Sequence, residues 1–232
     1  MKEKRSEREK TAEREKRKES QKKEELSEWI PKTTLGKKVK NGEIASMNEL
    51  IESKLPLIEP EIIDYLLPDL EEKMVDFKKT TKVRRAGRQF SFRATVLVGD
   101  KNQFIGAGTG KHKEKWPAVR KATRRAKLNL TRVRKGCGSW ECTCGTGHSV
   151  PFKVNGSTGS VKIELIPAPK GTGLVVGNNI KDVFGFVGIK DVWSKTRGAT
   201  DTRLNFIRAT INALSKTTSM KVSDEIRKKA LK

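Results

Sequence analysis

Three cysteines and a histidine fall within a dozen residues: Cys137, Cys142, Cys144 and His148. Three thiolates and an imidazole are a donor set that can close a tetrahedral structural zinc site. The spacing, C-x4-C-x-C-x3-H, is unusual, and its C-x-C is tight. A Gly-rich loop with free thiols is the alternative. A catalytic thiol is disfavoured, because the only other histidine is His112. Apart from this zinc site, no cofactor is required.

A second stretch that could do chemistry is Gly106-Ala107-Gly108-Thr109-Gly110-Lys111. A phosphate-binding loop needs G-x-x-x-x-G-K-[ST]. Ile105 stands where its first glycine belongs, and His112 replaces the hydroxyl that would hold magnesium. The glycines instead suggest close backbone approach, either to a phosphate or to a neighbouring helix. Gly171, Gly173 and Gly177 are misspaced for a dinucleotide fingerprint. Glu141, Glu164, Asp182, Asp191 and Asp201 are scattered, and neither a nucleophile elbow, a metalloprotease helix nor a kinase signature is present. The chain is expected not to be an enzyme.

The third group is cationic. Of 232 residues, 51 are Lys or Arg and 28 are Asp or Glu, a formal net charge of +23. The excess is concentrated: residues 78–135 hold 19 basic groups, against Asp100 and Glu114 as the only acids. Such a footprint points to a polyanion. We take as RNA-binding candidates Lys79, Lys82, Arg84, Arg85, Arg88, Arg93, Lys111, Lys113, Lys121, Arg124 and Arg125. Gly87, Gly106, Gly108 and Gly110 are candidates for backbone approach to RNA. No apolar run approaches the ~18 residues of a membrane span, and none follows the N-terminal charges, so neither membrane nor signal peptide is expected. Three cysteines do not frame a secreted domain, which leaves a reducing cytoplasm as the expected compartment.

These groups need elements to hold them. Residues 1–25, almost all charged or polar, read as a flexible tail. In the segment 26–76, a short helix is expected over 44–55 with Ser46 as its N-cap, and a helix pair over 60–76 interrupted by Pro68. Residues 77–135 read as β-β-β-α. Lys78 to Val83 is one strand. The next alternates Phe90, Phe92, Ala94, Val96 and Val98 with Ser91, Arg93, Thr95 and Leu97. Gln103 to Gly108 returns after a turn. A helix then starts near Pro117, with Val119, Ala122, Ala126, Leu130 and Val133 along one face. Residues 136–148 read as a linker and 149–216 as a β/α unit. The latter has strands at 149–154, 160–166 and 189–196, and helices near 179–187 and 201–216. Residues 217–232 read as a basic tail. The fold class is α+β. The order of the basic segment is shared by double-stranded RNA-binding domains.

Two motif sets carry a family resemblance. Gly87 to Ala94, Val98-Gly99-Asp100 and Ile105 to Lys111 resemble small-subunit ribosomal protein five. Gly159-Ser160-Val161, Leu165 to Gly173, Gly188 to Trp193 and Asn205 to Thr210 resemble its archaeal and eukaryotic branch, and the Cys-rich linker suggests an archaeal member. The resemblance implies a double-stranded RNA-binding-like N-domain and a C-terminal β/α domain with a left-handed crossover. As partners it implies small-subunit rRNA, small-subunit proteins three, four and eight, and mRNA at the entrance channel. It also implies a role in decoding accuracy through protein four, and assigns the deep rRNA contact to Lys82–Arg88. Where the family usually has Gly, this chain has Gln103, so Asn102 is expected to take the left-handed turn position. Two rivals remain: a free double-stranded RNA-binding factor, which co-sedimentation would separate, and a small-molecule kinase of similar C-domain topology, which the missing phosphate loop opposes.

Overall fold

The computed structural model describes residues 29–53 and 55–219. The tail 1–25, and the tail 217–232 from residue 220 on, lie outside the described residues. The chain divides into two compact units, up to Pro68 and from Asp69 onward.

Among its described residues the first unit holds three short helices, α1 (Thr34–Lys40), α2 (Met47–Glu52) and α3 (Glu61–Leu66). Ser46 caps α2 as the sequence implies. Its hydroxyl accepts from the Glu49 backbone, and the Glu49 carboxylate accepts in return from Ser46 N–H, a capping box. The expected helix pair over 60–76 is only half present. After Pro68 the chain becomes strand from Glu71, because a charged edge strand shows no apolar alternation and a bulge between Met74 and Asp76 breaks its register.

The second unit begins with a four-stranded antiparallel sheet in the order β1 (Glu71–Arg84), β2 (Gly87–Gly99), β3 (Phe104–His112), β4 (Leu130–Arg132). The turn between β2 and β3 is built on Asp100, whose Oδ1 accepts from the backbone N–H groups of Asn102, Gln103 and Phe104 at 2.8–2.9 Å. The left-handed residue there is Lys101 (φ 59°), not Asn102. Helix α4 (Lys115–Leu128) covers one face. It ends before Leu130 and Val133, because the Asn129 backbone caps it and Leu130 pairs with Gly106 in the sheet. Its buried side is Ala118, Ala122 and Ala126.

Those three alanines lie over Gly106, Gly108 and Gly110. A Cβ on each glycine would stand 2.2 Å from the carbonyl oxygen of Ala126, Ala122 and Ala118 in turn. The glycine run therefore brings a helix down onto a strand. All three are buried, packed against the helix backbone.

The C-terminal sheet runs β5 (Val154–Thr158), β6 (Val161–Pro167), β8 (Val192–Arg197), β7 (Leu174–Val175), with β7 parallel to β8. Helix α5 (Asn178–Val187) makes the crossover between these two, and α6 (Arg203–Ser215) follows β8. The strand expected at 149–154 lies instead at 154–158, set by the two-residue Gly159-Ser160 turn with Gly159 at φ 60°. The strand expected from 189 starts at Val192, since the backbone N–H groups of Lys190 and Asp191 go to the His148 carbonyl. On α6, Ile207, Ile211 and Leu214 are buried, and Leu204 on the same face is half-buried. A 3-10 turn, Lys216–Ser219, follows.

One hydrophobic cluster joins the halves: Leu97 and Ile105 of the first sheet, Val133 and Val150, and Leu165 and Phe184 beyond. Element order from α3 to α4 is α-β-β-β-α, and the chain is α+β. Residues 136–148 are a lobe on this shared body and not a tether between separate cores.

Candidate nucleic-acid interface and metal-ligating cluster

Strand β3 stops pairing with β2 at Phe92↔His112, but β1 and β2 continue together to the Arg84↔Gly87 pair. Five further residues of strand project about 17 Å beyond the sheet. At the tip Gly87 takes φ 113°, which suits it to the turn. This is a two-stranded arm with both faces open.

The pairing register assigns its side chains. Lys78 is opposite Arg93, Lys82 opposite Gln89, and Arg84 opposite Gly87, so Lys78, Lys82, Arg84 and Arg93 share a face. Lys111, opposite Arg93, extends it. The other face carries Lys79, Arg88, Val83, Phe90 and Phe92. Phe77 and Phe92 stack at 5.4 Å between centroids. Lys79 Nζ lies 3.8 Å from the Phe90 ring centre, and Lys115 Nζ 5.4 Å from that of Phe77. Arg85 sits in the turn. The arm thus brings together Lys79, Lys82, Arg84, Arg85, Arg88, Arg93 and Gly87 of the expected set.

Lys113 follows β3, and Lys121, Arg124 and Arg125 are exposed on α4. Arg125 also serves the fold, donating from Nη1 to the Thr109 carbonyl at 2.9 Å. Sequence reasoning counted Lys115 among the cations but passed over Lys78 and Phe90 as contacts. The strand alternation implied the first. The second depends on cross-strand neighbours that a single strand does not show.

The four metal-ligating candidates do converge. The donor atoms of Cys137, Cys142, Cys144 and His148 all lie within 4.8 Å of one another. Cys142 Sγ is 3.7 Å from His148 Nε2. Zinc–sulfur and zinc–nitrogen bonds of about 2.3 and 2.0–2.1 Å in a tetrahedron require edges of about 3.6–3.8 Å, so the residues fit the ion. The lobe is closed at its base by paired Gly136 and Ser149 bonds at 2.9 Å each way.

The thiols differ. Hydrogen bonds from the Thr146 side chain and backbone bring Cys144 down to about 6. The Lys170 backbone N–H lowers Cys142. Burial pushes Cys137 up to about 11. His148 is buried, which opposes its protonation, but hydrogen bonds to Cys142, Cys144 and Asp191 outweigh this and raise it.

Fold and charge together define a class: an α+β protein that presents a basic arm to a polyanion. The matching family models are the N-terminal domain of ribosomal protein S5 over residues 70–134 and its C-terminal domain over residues 156–230. The cysteine lobe lies between the two. Small ribosomal subunit protein uS5 of Methanocaldococcus jannaschii is 54% identical over 189 residues, 82% of this chain and 87% of that protein. The uS5 protein of Staphylothermus marinus is 53% identical over 192 residues, 83% and 90% of the two chains. That of Methanothermobacter thermautotrophicus is 48% identical over 200 residues, 86% and 93%. The chain belongs to the ribosomal protein S5 family, as an archaeal-type member, and is a ribosomal protein and not an enzyme.

Proposed function

We propose that this chain is a structural constituent of the small ribosomal subunit, located on cytoplasmic ribosomes, and binds the subunit's rRNA through the β1–β2 arm. The observation that carries this reading is the arm itself: a basic hairpin that extends past its own sheet and is open on both faces. Lys82, Arg84, Arg85 and Arg93 supply phosphate contacts that position the protein without reading sequence. Phe90, half exposed beside Lys79, offers a surface on which an unpaired base can stack. Lys111 extends the face that carries Lys82, Arg84 and Arg93, and Lys113 and the α4 cations form a second contact area.

The finer placement belongs to the same reading. The chain adjoins small-subunit proteins three, four and eight, helps line the mRNA entrance channel, and supports decoding accuracy at its contact with protein four. The Cys137, Cys142, Cys144 and His148 cluster holds a structural zinc ion.

Sucrose-gradient sedimentation of a lysate at low and high salt tests the core of this. Co-migration with small subunits that survives the high-salt wash is expected. Recovery at the top of the gradient would make the chain a free RNA-binding factor. A misreading reporter in cells carrying Arg84→Ala with Arg85→Ala tests the link to accuracy, and unchanged misreading would remove it.

A further inference from the structure

The cysteine lobe is tied to the C-terminal sheet through Asp191. His148 directs Nε2 toward the thiols and Nδ1 toward Asp191 Oδ2, at 2.8 Å. Both residues are buried. The second carboxylate oxygen, Asp191 Oδ1, accepts from the backbone N–H groups of Gly171 (3.1 Å) and Gly173 (2.8 Å). Gly171 and Gly173 both have positive φ, 94° and 74°, a turn shape that glycine adopts without steric cost. The Gly173 carbonyl in turn accepts from Val192 N–H at 3.2 Å, where β7 begins to pair with β8. Through Asp191 the cluster therefore reaches the turn 171–173.

We propose that Asp191 is the outer-shell positioning residue of the zinc site, and that metal loading is relayed through it to lock the Gly171–Gly173 turn and the start of the β7–β8 pair. This inference rests on the zinc reading above. Its physical basis is the division of labour within one carboxylate. Oδ2 fixes the imidazole as the tautomer that carries its proton on Nδ1, which leaves Nε2 free to ligate. Oδ1 holds the two glycine amides. Any movement of His148 out of ligating position must move the same rigid group that holds the turn. The tie links residues 43 apart in sequence, so the ion staples the lobe after the first sheet to the second sheet.

Asp191→Asn separates the two roles. The amide oxygen still accepts from Gly171 and Gly173, while the amide NH2 presents a donor to His148 Nδ1, where an acceptor is needed. The full chain is purified under reducing conditions, and its zinc content is measured by mass spectrometry. Affinity is measured by competition with a chromophoric chelator, and hydrogen exchange at residues 170–175 is followed with and without EDTA. Expected are one zinc per wild-type chain, loss of zinc in Cys142→Ser, and a 10–100-fold weaker affinity in Asp191→Asn at unchanged circular dichroism. Chelation should speed exchange at Gly171 and Gly173 in the wild type, and this response should be lost in Asp191→Asn. The cobalt(II)-loaded variant should show a shifted visible spectrum, which a merely structural role for Asp191 would leave alone. Wild-type chain without zinc would overturn the zinc reading itself. Zinc bound with wild-type affinity in Asp191→Asn, or a turn whose exchange ignores chelation, would overturn the relay alone. Should the variant not fold, the wild-type response to chelation decides the relay by itself.

Discussion

Gly108→Ala tests whether the glycine run serves the helix or the RNA. The added Cβ would stand 2.2 Å from the Ala122 carbonyl oxygen, 2.3 Å from Ala126 N and 2.8 Å from its Cα. All three are backbone atoms of α4, so no side chain can swing aside. Ordinary carbon–oxygen contact lies about 1 Å further out, so helix and strand must separate by roughly that much. A gap of 0.5–1 Å already forfeits a quarter to a half of the dispersion attraction, and here it opens beneath Ala118, Ala122, Ala126, Val96 and Val98, all buried. Overpacking alone costs about 1–3 kcal/mol. With the lost contacts, we expect about 3 kcal/mol, or a fall in Tm of roughly 6–12 °C for a chain of this size. The assay is thermal unfolding of the purified chain without RNA, followed by far-ultraviolet circular dichroism. Gly87→Ala is the control. It has no atom within 4 Å of the added carbon and φ 113°, so it bears only local strain of about 1–2 kcal/mol in an exposed arm. A Gly108→Ala chain that melts within about 2 °C of wild type, yet binds RNA poorly, would refute the helix-packing argument and return the glycines to the interface.

The remaining predictions concern other parts of the molecule. Arg84→Ala with Arg85→Ala should lower the slope of log affinity against log salt for rRNA fragments by about 1.5, at roughly 0.7–0.9 per phosphate contact; an unchanged slope removes the tip from the interface. Phe184→Ala, at a fully buried side chain, should cost about 3–5 kcal/mol in denaturant unfolding. Ser46→Ala should cost about 1 kcal/mol through the lost cap. Glu49 is held below its usual 4.5 by the Ala45 backbone N–H, the Ser46 hydroxyl and the Ser46 N–H. Its stabilising effect is therefore full above pH 4.5 and is lost as pH falls through the lowered value. An NMR titration should show Glu49 moving back toward 4.5 in Ser46→Ala.

What could be read in the sequence follows from the range of the interactions involved. The alternation through β2 was legible in its residue types, but not that both faces of the strand are buried from Ala94 to Gly99. The start of β1 was not, since Glu71, Glu72 and Lys73 are exposed and their strand character comes from pairing with Gly99, Val98 and Leu97. The glycine run announced close approach, but glycine records only that something is near. Ala118, Ala122 and Ala126 identify that neighbour once the helix is in place. The four metal-ligating candidates were legible as a group because all four lie in one short loop. Asp191 was not, because its meeting with His148 is a product of the fold and its residue type resembles any surface acid.

The arm shows where alternation stops reporting on a core and begins to report on function. A strand alternates because burial on one face selects apolar side chains. Beyond Phe92 the covering β3 is gone, so that selection has no source within the sheet. The pattern nevertheless continues outward: Phe90 and Val83 on one face, 46% and 74% exposed, and Lys82 and Arg84 on the other. Apolar side chains left in water in that register cost solubility and offset no chain entropy here. They are interleaved with Lys79 and Arg88 on their own face and backed by Lys82 and Arg84 on the other, the mixture of aromatic and cationic groups that suits base stacking beside phosphate contacts. The same alternation therefore builds the core along the paired part of β2 and a surface suited to RNA past its end.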